Sequence, residues 1–401
     1  MDIPATIAIK INRHAQKAVK EGHPWVYERS VVKSPKDTSP PGSLCVLFDQ
    51  RTNKPFAFGL WDPGEVIRIK IIHQGTSVTI NRAFWHKRIQ TAFGKRLPLL
   101  ENVSGYRAIH GENDGFPGLI LDVYNKTGVL KIYSEIWTPY LEGIVDILRD
   151  VFTLDRVVFR LSRKLSLHGN LPYNEGQIIG SDLKENKVRF EEYGVSFFAD
   201  PVSGHKTGFF LDQRPNRYWV QKHSNNKKVL DVFSYVGGFG IHALKGNAST
   251  LTSIDISSHA MAAARQNIQL NELDDEKWTP ITGDAFDKMA ELYQKKLRYD
   301  IVIIDPPSFA NQSGHVPSAL KQYERLARWG AALTAPKGYL ILGSCSSRIS
   351  LEELKSVHEN AFYSKTTPEW GRIKVVLHDL DHPVTYPEGL YLKTLIYQRK
   401  F

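Results

Sequence analysis

Apolar positions change their spacing along this chain, and each change marks a different kind of structure. Up to about residue 75, short apolar runs at residues 22–27, 43–48 and 66–72 are broken by Pro and Gly, which predicts a small β-rich module. Residues 34–42 are expected to form a loop, because their prolines prevent a central strand. From residue 81 the pattern becomes helical through Trp85, Arg88 and Ile89. A turn at Asp114-Gly115-Phe116-Pro117-Gly118 follows, then strands at 119–123 and 129–134. A helix over 140–152 and a strand over 156–161 extend this α+β region, which is expected to end near Glu192.

Beyond Lys227 strands and helices alternate, with apolar runs at 229–234, 251–256, 299–304 and 338–343 and a helical stretch at 257–273. Such alternation specifies a parallel sheet wrapped by helices. The closing runs at 372–377 and 391–399 are joined by a stretch too short for a helical crossover and should pair antiparallel. The predicted fold class is α/β: a sheet domain over 193–401, preceded by the β-rich module, 1–75, and a central α+β domain, 76–192.

A chain of 401 residues exceeds what one core usually organises, in keeping with two or three domains. With 52 Lys and Arg against 42 Asp and Glu, the formal charge is +10. Such a balance favours an anionic partner such as nucleic acid, although a generic basic surface would give the same sum. Cys45 and Cys345 are the two cysteines, too far apart for a disulfide framework or a metal motif. A reducing cytoplasm fits best. The N-terminus carries no export signal, no segment has the length needed to span a bilayer, and the histidines lack metal-ligand spacing. Neither membrane nor metal is expected.

Two apolar runs end in reactive side chains. Residues 299–304 lead into Asp305-Pro306-Pro307, and a second run ends at Cys345. In an open α/β sheet ligands bind outside the carboxyl ends of the strands, so this acid and this thiol can face one crevice. A thiolate there is suited to add to carbon six of a pyrimidine, which makes carbon five nucleophilic, with Asp305 as acid and positioning group. The bland alternatives are a packed cysteine and a strand terminator. Cys45 has no partner motif and is read as packing.

The first strand of the sheet runs into Asp231-Val232-Phe233-Ser234-Tyr235-Val236-Gly237-Gly238-Phe239-Gly240. Gly238 to Ala243 also matches a dinucleotide fingerprint, which would give a nicotinamide or flavin enzyme. Three residues separate the strand from the glycines, however, and Asp231 would repel a pyrophosphate. S-adenosylmethionine, whose ammonium and sulfonium are cationic, suits that carboxylate better. Asp255 ends the second strand, where an acid can accept both ribose hydroxyls, or simply charge a helix N-terminus. Asp284 could bond the adenine amino group or cap the next helix.

These residues bring the chain into resemblance with a known family. It looks like the class I RNA cytosine-C5 methyltransferases with an N-terminal PUA domain, the RlmI-type family acting on large-subunit ribosomal RNA. The resemblance spans nearly the whole chain. Its marks are Gly22-His23-Pro24-Trp25-Val26, Asp114 to Leu119, His205-Lys206-Thr207-Gly208 through Leu211-Asp212-Gln213-Arg214, Asp231 to Phe239, Asp305-Pro306-Pro307-Ser308-Phe309, Ser344-Cys345-Ser346 and Asp381-His382-Pro383.

The resemblance implies a Rossmann-like methyltransferase sheet and S-adenosylmethionine as the donor. Asp231, Phe233, Ser234, Gly237, Gly238 and Phe239 would then cradle the methionine moiety. Asp255, with Ile256 and Ser257 beside it, would hold the ribose, and Asp284, with Ala285, the adenine. Phe210, Gln213 and Arg214 would close over the donor. Cys345 would be the nucleophile and Asp305 its partner, with Asp305 also lining the donor site. The PUA module would hold RNA, the central region would shape the substrate channel, and relatives can pair as homodimers. The competing readings are a uracil-C5 or RNA-nitrogen methyltransferase and a non-catalytic RNA-binding factor.

Overall fold

The computed structural model describes residues 6–33, 39–310, 312–362 and 369–401. Residues 34–38 of the expected proline loop therefore lie outside the described residues. The chain divides into two compact units. The first comprises Met1–Glu191, Phe198–Leu211 and Leu380–Pro387; the second comprises Glu192–Phe197, Asp212–Asp379 and Glu388–Phe401.

The first unit holds two sheets. One contains β1 (Thr6–Ile11), β2 (Trp25–Tyr27), β3 (Val31–Lys33), β4 (Leu44–Phe48), β5 (Pro55–Trp61) and β6 (Ile67–Gln74), in the order β2-β6-β5-β4-β1-β3. Strict alternation in β1 turns Ile7, Ile9 and Ile11 inward. Helix α1 (Arg13–Lys20), capped by Asn12, adds Val19 to the same core. Cys45 is fully buried in this core, and burial pushes its thiol pKa up, which matches the packing reading.

The second sheet contains β7 (Gly105–His110), β8 (Leu119–Tyr124), β9 (Thr127–Ile132), β10 (Arg156–Leu161) and β11 (Ile178–Gly180), in the order β11-β10-β9-β8-β7. Helices α2 (Arg82–Arg96), α3 (Leu141–Val151) and the short α4 (Arg163–His168) accompany it. The Asp-Gly-Phe-Pro-Gly turn has a structural cause. Gly115 and Gly118 adopt φ of +78° and +68°, and Asp114 takes two hydrogen bonds from the fully buried Arg96, at 3.0 and 2.6 Å. The Asp381-His382-Pro383 motif joins this network, since Asp381 Oδ2 accepts from the Arg107 backbone N–H at 2.9 Å.

Strands β12 (Val188–Glu192) and β13 (Val195–Ala199) form a two-stranded ribbon. The second unit is then built from α5 (Arg214–His223), β14 (Lys228–Val232), α6 (Gly238–Lys245), β15 (Thr250–Asp255), α7 (Ser258–Leu270), β16 (Trp278–Thr282), α8 (Ala285–Gln294), β17 (Tyr299–Ile304), α9 (Val316–Leu333), β18 (Thr334–Ser344), α10 (Leu351–Phe362), β19 (Trp370–Val376) and β20 (Lys393–Arg399). The sheet order is β16-β15-β14-β17-β18-β20-β19. Strands β14 to β18 are parallel, and β20 pairs antiparallel with both β18 and β19, as the length of the connection predicts.

Strand β16 escapes the hydrophobic pattern because it is the sheet edge. Its residues are mostly exposed, and Pro280 is tolerated there. The chain winds from β14 outward to β16, then returns to place β17 on the other side of β14. That reversal lies between β14 and β17, and ligands of open α/β sheets bind beyond the carboxyl ends of the strands at such a point. Among the described residues no helix is long and apolar enough to cross a membrane, and no group of three or more His, Cys, Asp or Glu could hold a metal.

Candidate active site at the carboxyl ends of the second sheet

Parallel strands aim their carboxyl ends at one edge, so Asp231 in β14, Asp255 at the end of β15, Asp305 after β17 and Cys345 after β18 emerge on the same side. The backbone N–H of Asp305 reaches the carbonyl of Val232 at 3.4 Å, which joins the two strand ends at the reversal.

Asp231 is 1% exposed. Its Oδ2 accepts from the Gly240 N–H at 3.0 Å, while Oδ1 is buried without a partner. Burial pushes its pKa up to about 7; the Gly240 bond opposes this, and the neighbouring Asp305 and Asp255 add to it. An orphaned carboxylate oxygen among other carboxylates calls for a cation. The glycines beside it are fixed by the backbone: Gly237 has a φ of +83° and precedes α6, and a Cβ at Gly240 would press on the buried Leu251. Phe233 and Tyr235 also hold left-handed backbone, at φ of +63° and +49°, a strain that concentrates at ligand sites. The remaining loop residues serve as frame. Ser234 donates its N–H to Ile254 O at 3.0 Å, Phe239 is buried, and Gly238 opens α6.

Asp255 accepts from the N–H groups of Tyr235 and Ser257, both at 2.8 Å, and each of its oxygens keeps a further lone pair. Next to it Ile256 is 74% exposed, an apolar side chain standing in water beside a polar site. Ser257 caps α7. Asp284 is exposed and caps α8 through Phe286 at 2.9 Å, while Ala285 is buried behind it. Together the orphaned carboxylate, the glycine loop and the exposed isoleucine fit a ligand with a cationic end and an apolar ring.

Asp305 is held by Gln213, which is itself fixed by Asn216. Gln213 Nε2 donates to its Oδ1 at 2.9 Å, and Gln213 Oε1 in turn accepts from Asn216 Nδ2 at 2.6 Å. Arg214 is fully buried and pairs with Asp379 at 2.8 Å, so it lies in an internal ion pair rather than at an open edge. Phe210 belongs to the first unit, where the Lys206 ammonium stands 4.5 Å from its ring centroid. Cys345 is half-buried, and its Sγ lies 3.9 Å from the carbonyl oxygen of Pro306, directly over the Asp-Pro-Pro turn. The acid and the thiol thus share one turn. Tyr323 takes part from below, accepting from Ser344 Oγ at 3.0 Å, with burial pushing its phenol pKa up.

Two groups had no signal in the sequence. Lys393 is buried beside the loop that follows Cys345. Glu192, Arg217 and His242 form a buried cluster behind α6, with Arg217 Nη2 at 2.7 Å and His242 Nε2 at 2.8 Å from the carboxylate. His242 is fully buried, and its ring stacks on Phe197 at 5.7 Å between centroids.

Comparison with known proteins shows the family of the chain. Residues 168–361 match the family model of S-adenosylmethionine-dependent methyltransferases, and residues 9–74 match a PUA-like domain. The chain is 35% identical to a protein of Deinococcus radiodurans named ribosomal RNA large subunit methyltransferase, over 99% of this chain and 100% of that one. It is 32% identical to ribosomal RNA large subunit methyltransferase I of Aeromonas salmonicida, covering 98% and 99% of the two chains. Among solved structures, a protein described as a methyltransferase and complexed with SAH superposes with a TM-score of 0.83 at 22% identity, over 98% of this chain and 100% of that chain.

Proposed function

This chain belongs to the family of S-adenosylmethionine-dependent large-subunit ribosomal RNA methyltransferases, and on that premise we propose that it forms 5-methylcytosine through a transient Cys345 adduct. The observation that carries the reading is the thiol poised over the Asp305-Pro306 turn, whose acid also acts on the charge of the buried Asp231. A methyl transfer to nitrogen needs no such thiol. The PUA-like module, residues 1–75, would hold the RNA, and the central region, 76–192, would shape the substrate channel, while 193–401 carries the chemistry.

Asp231 and the glycine loop bind the cationic amino-acid end of the donor, Asp255 the ribose, and Ile256 and Asp284 flank the adenine. The donor supplies an electrophilic methyl group on a sulfonium. A cytidine must leave its stack to be reached. Cys345 Sγ adds to carbon six, and the electrons displaced from the ring double bond make carbon five nucleophilic. Asp305, fixed by Gln213, bonds the pyrimidine edge as negative charge shifts into the ring. Carbon five takes the methyl as the S–CH3 bond breaks, its electron pair staying on sulfur to leave S-adenosylhomocysteine. The carbon-five proton then leaves to a base, and expulsion of the thiolate re-forms the double bond between carbons five and six.

The test is incubation of the protein with ribosomal RNA and labelled donor, followed by nucleoside analysis. The reading expects label in 5-methylcytidine and none from Cys345→Ala. Label in a methylated uridine, or undiminished turnover by Cys345→Ala, would refute it.

A further inference from the structure

The thiol's loop is held by the last strand of the sheet. Lys393 opens β20, and its register partner on β18 is Ser344, the residue before Cys345. Its side chain is 1% exposed, and Nζ donates to the carbonyl oxygens of Ser346 and Ile349, each at 2.6 Å. Both bonds fall within the turn that leaves the thiol. A buried ammonium satisfied by two neutral carbonyls is only half compensated, since its charge still lacks a counter-charge. Among the described residues no carboxylate forms an ion pair with Lys393; Cys345 and Glu353 are the groups that act on its charge. Burial lowers its pKa to about 8, and those two groups oppose the shift, so the side chain stays a cation at neutral pH.

We propose that Lys393 is a positioning residue for Cys345: it clamps the 346–349 turn and provides the fixed positive charge against which the thiol ionises. The proposal rests on the reading of Cys345 as the nucleophile but is independent of the acceptor base. Among the described residues, the groups that act on this centre include Asp305 after β17, Tyr323 from α9, Glu353 from α10 and Lys393 from β20. Asp305 and Glu353 bring negative charge and Tyr323 is neutral, so ionisation of the thiol beside them needs a cation. Glu353 is occupied by Ser350, whose N–H and hydroxyl donate to it at 2.8 and 2.7 Å.

The experiment is alkylation of the full chain by iodoacetamide across a range of pH, without RNA or donor, with Cys345 followed by peptide mass spectrometry. The wild-type thiol is expected to reach half its limiting rate well below about 8.5, the ordinary value for cysteine. Lys393→Met is expected to slow the reaction at neutral pH on the order of tenfold and to move the midpoint up. Lys393→Arg, which keeps the charge, should recover most of the rate. Superimposable profiles for wild type and Lys393→Met would overturn the proposal. So would an ordinary wild-type midpoint, a readout that stands even where Lys393→Met does not fold. Because no RNA is present, this profile tests the role of Lys393 alone. A separate incubation with ribosomal RNA and donor, scored for a Cys345 adduct by mass spectrometry, tests the covalent reading. A shifted profile with no adduct there refutes that reading alone, and an adduct with an unshifted profile refutes the role of Lys393 alone.

Discussion

Gly343 faces Asp305 so closely that a Cβ at position 343 would fall well inside contact distance of the Asp305 carboxylate oxygen Oδ1. The two residues stand near the carboxyl ends of the adjacent parallel strands β18 and β17. The absent side chain is what lets the acid lie flat beside the strand that delivers Cys345. Gly343→Ala should therefore push Asp305 aside while the sheet remains intact. Displacement by an ångström or less is enough to cost about ten- to a hundredfold in kcat. Single-turnover methylation would report that loss, and equilibrium titration should show donor affinity changed far less.

Gln213 governs the same acid through its side-chain amide. Gln213→Ala removes the bond and should lower kcat about tenfold. Gln213→Glu sets one carboxylate against another and should raise the pH at which activity reaches half its maximum. The pH–rate profiles of the two variants separate loss of a bond from gain of a charge.

Asp231 makes donor binding sensitive to pH. Its folded pKa of about 7 lies above the unfolded value of about 3.9. Protonation is therefore favoured in the free folded chain, and a cationic donor must release that proton. Affinity measured by calorimetry should fall as pH drops below about 7, approaching tenfold per pH unit. Asp231→Asn should bind the donor weakly at every pH. The same linkage affects stability: this group favours the folded state below its unfolded pKa and loses that contribution as pH rises through about 7. Without donor at pH 8, Asp231→Asn should therefore be more stable in denaturant unfolding, by about 1–3 kcal/mol.

The Glu192 cluster has the opposite sign. Burial alone would raise the Glu192 pKa, but Arg217 and His242 hold it well below the ordinary carboxylate range. Its contribution is present above the unfolded pKa of about 4.3 and disappears as pH falls toward the folded value. Acid unfolding should shift to higher pH in Glu192→Gln. Arg217→Ala, which strands the buried charge, should cost about 3–5 kcal/mol in urea denaturation at pH 7.

Much of this molecule was written in local pattern. Alternating strands and helices after Lys227 gave the parallel sheet, and the residues ending the apolar runs gave Asp231, Asp255, Asp305 and Cys345 as a set on one edge. That inference needs no tertiary knowledge, because period-two burial and helical crossovers place every such strand end on the same side. The edge strand Trp278–Thr282 was silent because a strand exposed at the sheet margin has little apolar periodicity to show.

Partner choice was decided by the tertiary structure alone. Lys393 against the turn after Cys345, Gln213 on Asp305, and Glu192 between Arg217 and His242 each join residues far apart in the chain. A polar side chain carries no local mark of whether it will meet water or another polar group. Strand order and register decide that, because folding the sheet is what removes water and leaves each buried charge the neighbours it must have.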